Sequence, residues 1–490
     1  MATEVKKEHK KVKSLDLKSK IEMIEDLNTP IEVMEILAED EYDVRLALAR
    51  NPLIPPSIML KLIKSGDESI CRVIAKNLFI LNKTGILKKY EMDVKHKIFS
   101  TLASSRDLWV REMVADNTGT PPDVLRVLSK DHSEKVRRCV AANPRTPPDV
   151  LRELLRDGEK VRVEVARNPS TPIDVLKMLA EDKDERIRMG VAANPNITYE
   201  IAEKLMRDES EEVKSMLAGN PSVPVDFLEK MAKISVISGV LNCESEKVRE
   251  ELAKNPSTSI KALDILAKDV SWTVRRNVAL NPNTSAETLR KLAEDRELLV
   301  RMAVAENRNT PADVLRDLSE DVWFVRESVA KNPNAPPEIL EKLAQSEYED
   351  VKARVAENPN TPLRVLERLA EEESEAILNG LVKNPKTPPE ILRELTMKGS
   401  DFLRGSIRRR RKLELAGNPN TPPEILEKLA DEEDLSCKVL ITKNPSTPLK
   451  VLIKLASDDC MIIKEGAIRK IVERLKGSEH PYTLWDSLTS

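Results

Sequence analysis

"NPNTPPEILEKLADEED", Asn418–Asp434, returns almost unchanged as "NPNAPPEILEKLAQSEYED" from Asn332 and as "NPNTPLRVLERLAEEES" from Asn358. One string repeated at a fixed period is the mark of a repeat protein. With each Asn taken as position 0, units begin at 51, 117, 143, 168, 194, 220, 255, 281, 307, 332, 358, 384, 418 and 444. The step is 25 or 26 residues except for two longer ones, 35 from 220 to 255 and 34 from 384 to 418. Degenerate units begin at Asp26 and Glu91, with a half-unit from Asn77 to Tyr90 between the Asn51 and Glu91 units. About sixteen full units therefore fill residues 26–470.

The wording of the unit specifies two short helices. In Thr146-Pro147-Pro148-Asp149 and Thr421-Pro422-Pro423-Glu424 the Thr is expected to cap helix A. Pro fills the first turn, where no N–H is needed, and an acid follows as in a capping box. Positions 7, 8, 11 and 12 (Ile425, Leu426, Leu429, Ala430) form one apolar stripe. An Asp at position 14 (Asp157, Asp182, Asp208, Asp269, Asp295) closes helix A. Helix B, positions 16–25, buries residues such as Val136, Val140 and Ala141. The next Asn, expected to tolerate a left-handed conformation, and its Pro stop it. Pairs of such helices, stacked, make an all-α fold, an α-solenoid. The domain reading is a basic N-terminal tail and capping helix over 1–25, a repeat array over 26–476 and a C-terminal tail over 477–490. The array is irregular at 77–90, 232–247 and 397–412.

These N-P, P-P and V-R landmarks resemble the leucine-rich repeat variant family, whose units read "VRxxVAxNPxTPPxxLxxLA". The resemblance implies alternating helices stacked as a right-handed, single elongated superhelix. The D-x5-R spacing (Asp131 to Arg137, Asp182 to Arg188) is also similar to HEAT repeats. A Cys-rich iron–sulfur module known in that family is not carried over, because residues 1–70 contain no Cys.

Composition narrows the function classes. Lys and Arg (80) nearly cancel Asp and Glu (83), so net charge alone implies neither a nucleic-acid nor a membrane partner. No apolar run approaches the ~18–20 residues that span a bilayer. The five scattered cysteines read as reduced thiols, and the expected location is cytoplasmic. One Gln beside abundant Lys and Glu suggests a heat-loving source. The four His lie in unrelated phases, and no Gly-rich phosphate loop is present. No catalytic residue, metal site or cofactor is expected.

Candidate interaction residues lie where the repeat leaves freedom. Arg or Lys follows the helix-B Val in most units, including Arg137, Arg162, Arg188, Arg275, Arg301 and Arg326. Helical phase places these cations inside the buried arc, facing the neighbouring repeat and the Asp six residues earlier. That predicts a structural Asp–Arg ladder rather than a row of phosphate ligands. The outward positions of helix A are charged. Those of helix B are low in polarity: Met189, Gly190, Ala193, Met216, Leu280, Leu299 and Met302. Such residues suit a protein partner on the side taken as concave; crowding between B helices would equally favour small residues. Trp109, Trp272 and Trp323 open helix B beside the V-R landmark. They either pack over the inter-helix loop or contact a partner, similar to Trp–Arg edges of DNA-alkylation-repeat proteins. The insert before Asn418 carries Arg404 and the run Arg408, Arg409, Arg410, Arg411, Lys412. It is either a solvated extension of helix B or a patch for phosphate, RNA or an acidic protein. The reading is a non-catalytic scaffold for a protein partner, the alternative a nucleic-acid or ribonucleoprotein binder.

Overall fold

The computed structural model describes residues 12–25, 29–51, 54–83, 87, 91–237, 245–397, 408–456, 458 and 460–475. Among the described residues there are 33 α-helices and no strand. The chain divides into two compact units, one formed by Met1–Met231 with Cys243–Ser257, the other by Ala232–Asn242 with Thr258–Ser490. Within each unit, helices A and B alternate as the sequence pattern specifies, so each is an α-solenoid.

The unit at Asn418 shows how the string becomes structure. Helix A is Pro423–Ala430 and buries Ile425, Leu426, Leu429 and Ala430. Helix B is Leu435–Lys443 and buries Cys437, Ile441 and Thr442. Two details differ from expectation. Helix A begins after Pro422, with no side-chain cap. Thr421 instead sends its hydroxyl back to the Leu415 carbonyl at 2.6 Å, tying the turn to the end of the preceding B helix. Asn444, which ends helix B, is extended (φ −70°, ψ 127°) rather than left-handed. The following Pro disfavours helical backbone in the residue before it.

The Asn is the joint between repeats. Asn332 Nδ2 donates to the carbonyls of Ala305 (2.7 Å), near the end of helix B of the 281 unit, and Asn307 (2.9 Å), which opens the 307 unit, while its Oδ1 accepts the N–H of Asn334 at 2.8 Å. Asn143, Asn168, Asn194, Asn220, Asn307, Asn358, Asn384, Asn418 and Asn444 repeat the pattern. A buried turn must pair its backbone polar groups. One amide side chain per repeat does so without adding bulk.

The irregular segments are only partly described. Asn77 lies inside one helix of 16 residues, Glu68–Lys83, and still donates to the Ala49 carbonyl at 2.7 Å. Most of 77–90 beyond it, 238–244 and 398–407 lie outside the described residues, as do 1–11 and the tail 477–490.

Candidate interaction surface

The repeated Arg occupies a built niche. Arg188 Nε and Nη2 reach Asp208 at 2.7 and 3.0 Å, and Nη1 donates to the Asp182 carbonyl at 2.8 Å. Arg275 meets Asp295 and the Asp269 carbonyl in the same way, and Arg301 meets Asp321 and the Asp295 carbonyl. Arg137 pairs with Asp157, and Arg162 reaches Asp182 less closely, at 3.4 Å. The carboxylate therefore belongs to the next repeat, 20 residues on, whereas the Asp six residues earlier (five for Arg162) supplies its backbone carbonyl. The Arg137 hydrogen bond holds the Asp157 carboxyl below the usual carboxylate range. Burial raises the Asp321 carboxyl, but the Arg301 hydrogen bond, the Val322 N–H and the Arg301 charge together more than offset it and leave it lowered.

Arg326 breaks the series. Twenty residues on stands Ser346, not an acid. Its buried Nε has no hydrogen-bond partner, and the guanidinium lies 5.4 Å from the Tyr348 ring centroid.

Helix A closes its outer face on itself. Arg152 pairs with Asp174 (2.9 Å) and Lys177 with Glu200 (2.5 Å) in one unit. Arg290–Asp313 (3.0 Å), Arg393–Glu424 (2.7 Å) and Lys450–Glu427 (2.6 Å) do the same in the other. Each base answers an acid on the adjacent A helix, so the net charge of the face is small.

The helix-B candidates fall into two groups. In the first unit Met216 and Ala193 are exposed and Met189 half-buried; in the second Leu280 and Leu299 are exposed and Met302 half-buried. Gly190 is buried, contrary to its expected outward position. A Cβ there would stand 2.8 Å from the Ala166 Cβ of the neighbouring helix. At that position the small residue answers close helix packing, not a partner.

The aromatic positions are outward. Trp109 and Trp272 are each 39% exposed. Trp323 is half-buried and stacks on Phe324 (centroids 3.6 Å) and on Tyr348 (5.5 Å). The sequence reading set Trp323, Phe324 and Tyr348 together where helix B opens, beside the repeated Arg, but did not note that Arg326 lacks the acid of its rung. The missing Asp at Ser346 was the signal that could have shown it.

The basic run is not a free patch. Arg411 and Lys412 are buried. Arg411 bonds Asn379 and Glu375, both at 2.7 Å, and Lys412 pairs with Glu432. Arg409 bonds Asp434 at 2.6 Å, leaving Arg410 exposed and 4.0 Å from Glu414. The burial reflects helix position: Lys412 occupies the ladder site of its repeat, 20 residues before Glu432. Arg404 and the Arg408 side chain lie outside the described residues. A cavity of about 180 Å³ beside this helix is lined by Arg354, Glu357, Lys383, Arg410, Arg411 and Glu414 among others, opposite charges interleaved.

No group of three or more His, Cys, Asp or Glu able to hold a metal is found among the described residues. Burial pushes the thiols of Cys71 and Cys139 up to about 11 and that of Cys437 to about 12, which keeps them protonated and poorly nucleophilic at neutral pH. No helix is long and apolar enough to cross a membrane, among the described residues.

Fold and surface together define a helical-repeat protein with a self-neutralised outer face. Residues 137–195 and 300–357 match the Leucine Rich Repeat Variant domain model, and 272–297 match the leucine rich repeat variant model. No curated protein matches the chain. Among solved structures it is similar to Kap121p bound to Ste12p (10% identity, TM-score 0.27, covering 98% of this chain and 50% of that one). It is also similar to yeast importin-beta, Kap95p (12%, 0.27, 99% and 69%), and to the Pds5–Scc1 complex (12%, 0.23, 96% and 85%). The chain spans half the length of the first of these.

Proposed function

We propose that the protein is a non-catalytic scaffold that binds a protein partner through the helix-B side of its repeats. The observation that carries this is the row of large apolar and aromatic side chains left exposed along helix B, Trp109, Met216, Trp272, Leu280, Leu299 and Phe324, in a chain that is one-third charged. Helix A exposes apolar side chains as well, among them Val127, Ile173, Met178 and Leu363, but among charges paired from one A helix to the next. Exposed apolar and Met-rich surfaces suit protein contacts. The nucleic-acid alternative loses its main support, because Arg409, Arg411 and Lys412 are held by the protein's own polar groups.

The test is affinity purification from the source organism, with nuclease treatment and mass spectrometry. A partner should survive nuclease, be lost with Met216→Asp, Leu280→Asp or Met302→Asp, and be kept with Arg152→Ala on the outer face. Binding that disappears with nuclease and falls steeply with salt would instead establish the alternative.

A further inference from the structure

Within the second unit, four successive B helices open at one edge: Trp272–Leu280, Leu298–Glu306, Trp323–Lys331 and Glu349–Glu357. The edge carries Trp272, Leu299 (43% exposed) and Phe324 (42%) from the first three helices and Tyr348 (37%), the residue just before the fourth. Val270 and Val322 flank them, also exposed. The whole chain has only 4 Trp, 5 Tyr and 5 Phe, so four aromatics, counting Trp323, on one edge is a concentration that core packing does not require. Trp323 stacks on both Phe324 and Tyr348, which makes a rigid shelf.

The shelf lies beside the ladder's one broken rung in this stretch. Arg275 and Arg301 are neutralised by Asp295 and Asp321. Arg326 has Ser346 at the sequence position of that Asp, its guanidinium lies by the Tyr348 ring, and no carboxylate pairs with it among the described residues. A half-buried guanidinium without an anion is costly, and a ligand carboxylate would relieve that cost.

We infer that this edge docks an extended peptide with apolar side chains about three residues apart and one carboxylate among them, received by Arg326. Packed helices stand ~8–10 Å apart, and an extended chain rises ~3.3 Å per residue, so every third side chain meets the next helix. A polyanionic nucleic acid fits less well. It needs several free cations in register, and the neighbouring rungs Arg275 and Arg301 are already paired. Exposed Glu347 and Glu349 beside Tyr348 would also repel a phosphate chain.

This rests on the protein-scaffold reading above and names the partner's chemistry. The probe is Phe-Ser-Ser-Phe-Glu-Ser-Leu-NH2 with fluorescein coupled through its N-terminal amine, read by anisotropy against the full chain. Peptides with Gln or Lys in place of Glu, and oligothymidylate, are the comparisons. Arg326→Gln should weaken the Glu peptide about tenfold, the scale of one charge-assisted hydrogen bond, and should abolish its advantage over the Gln peptide. Phe324→Ser should weaken both peptides. Ser346→Asp supplies the missing rung, so it should weaken the Glu peptide about tenfold while the thermal midpoint holds or rises, which excludes misfolding as the cause. Absent binding, equal affinity for Glu and Gln peptides, or tighter binding of the Lys peptide or oligothymidylate would overturn the inference. The native-partner assay separates the two readings. If Met302→Asp releases the partner and Arg326→Gln does not, the scaffold stands and this edge is wrong; if neither releases it, both fail.

Discussion

Arg301 and Arg326 follow the same Val on successive B helices, yet they end in different surroundings. Arg301 is clasped by the Asp321 carboxylate and the Asp295 carbonyl. Arg326 reaches a repeat that offers Ser346, and it settles near the Tyr348 ring. The helices are alike and the Arg is alike. Two sequence differences separate them: Arg326 follows Asp321 by five residues where Arg301 follows Asp295 by six, and the residue 20 positions on is Ser346 instead of an Asp. Together they turn a stitch between repeats into a charge with no carboxylate, held over an aromatic ring. In a repeat protein, residues are structural or available according to whether the next copy of the unit completes them.

Four measurements break or sharpen this contrast. The largest effect is expected from Arg301→Ala, which leaves the largely buried Asp321 unpaired and should cost about 3 kcal/mol. Arg326→Ala should cost about 1 kcal/mol or less, since it strands no partner. Hydrogen exchange over the two B helices compares them directly, and equal losses would end the contrast. Next is Asn332→Ala at the junction of the two repeats. It removes two donated bonds and one accepted bond, and urea unfolding should show a loss of about 2 kcal/mol. Third, Ser346→Asp should gain up to about 1 kcal/mol by restoring the rung, measured as a raised thermal midpoint.

The gentlest test is titration. Asp157 and Asp321 have carboxyls lowered in the folded state from an ordinary 3.8. A depressed folded pKa contributes stability that is fully present above the unfolded value and is lost as pH falls through the folded one. Stability should therefore be level from pH 8 to about 5 and decline below about pH 4. In hydrogen exchange, that decline should be weaker at the Arg326 rung, which has no carboxylate to titrate.

Much of the fold was legible because the 25–26-residue period repeats the same turn, stripe and stop. Local physical chemistry read from one copy misassigned several roles. Thr421 looked like a helix cap because the residue types match one, but its hydroxyl is taken by the Leu415 carbonyl of the preceding helix. The ladder Arg was placed against the neighbouring repeat and the Asp six residues earlier; the carboxylate that meets it is the Asp of the next unit, and the earlier Asp gives only its backbone carbonyl. Gly190 was read as surface because helical phase on an isolated helix cannot show the Ala166 methyl beside it. The run Arg408–Lys412 was read either as a solvated extension of helix B or as one patch, whereas a helix sends adjacent residues in different directions, so that Arg411 and Lys412 are buried and Arg410 is exposed.

The sequence by itself determined the helices, their order, their buried stripes and the Asn-Pro joints, since these depend on spacing within about 26 residues. Only the tertiary structure decided which polar group each ladder residue meets, which small residues are covered, and where aromatics from separate repeats gather beside an unpaired Arg326. Those outcomes depend on residues 20 or more positions apart meeting across stacked helices. A pattern of types along one chain states the period of such contacts but not their partners.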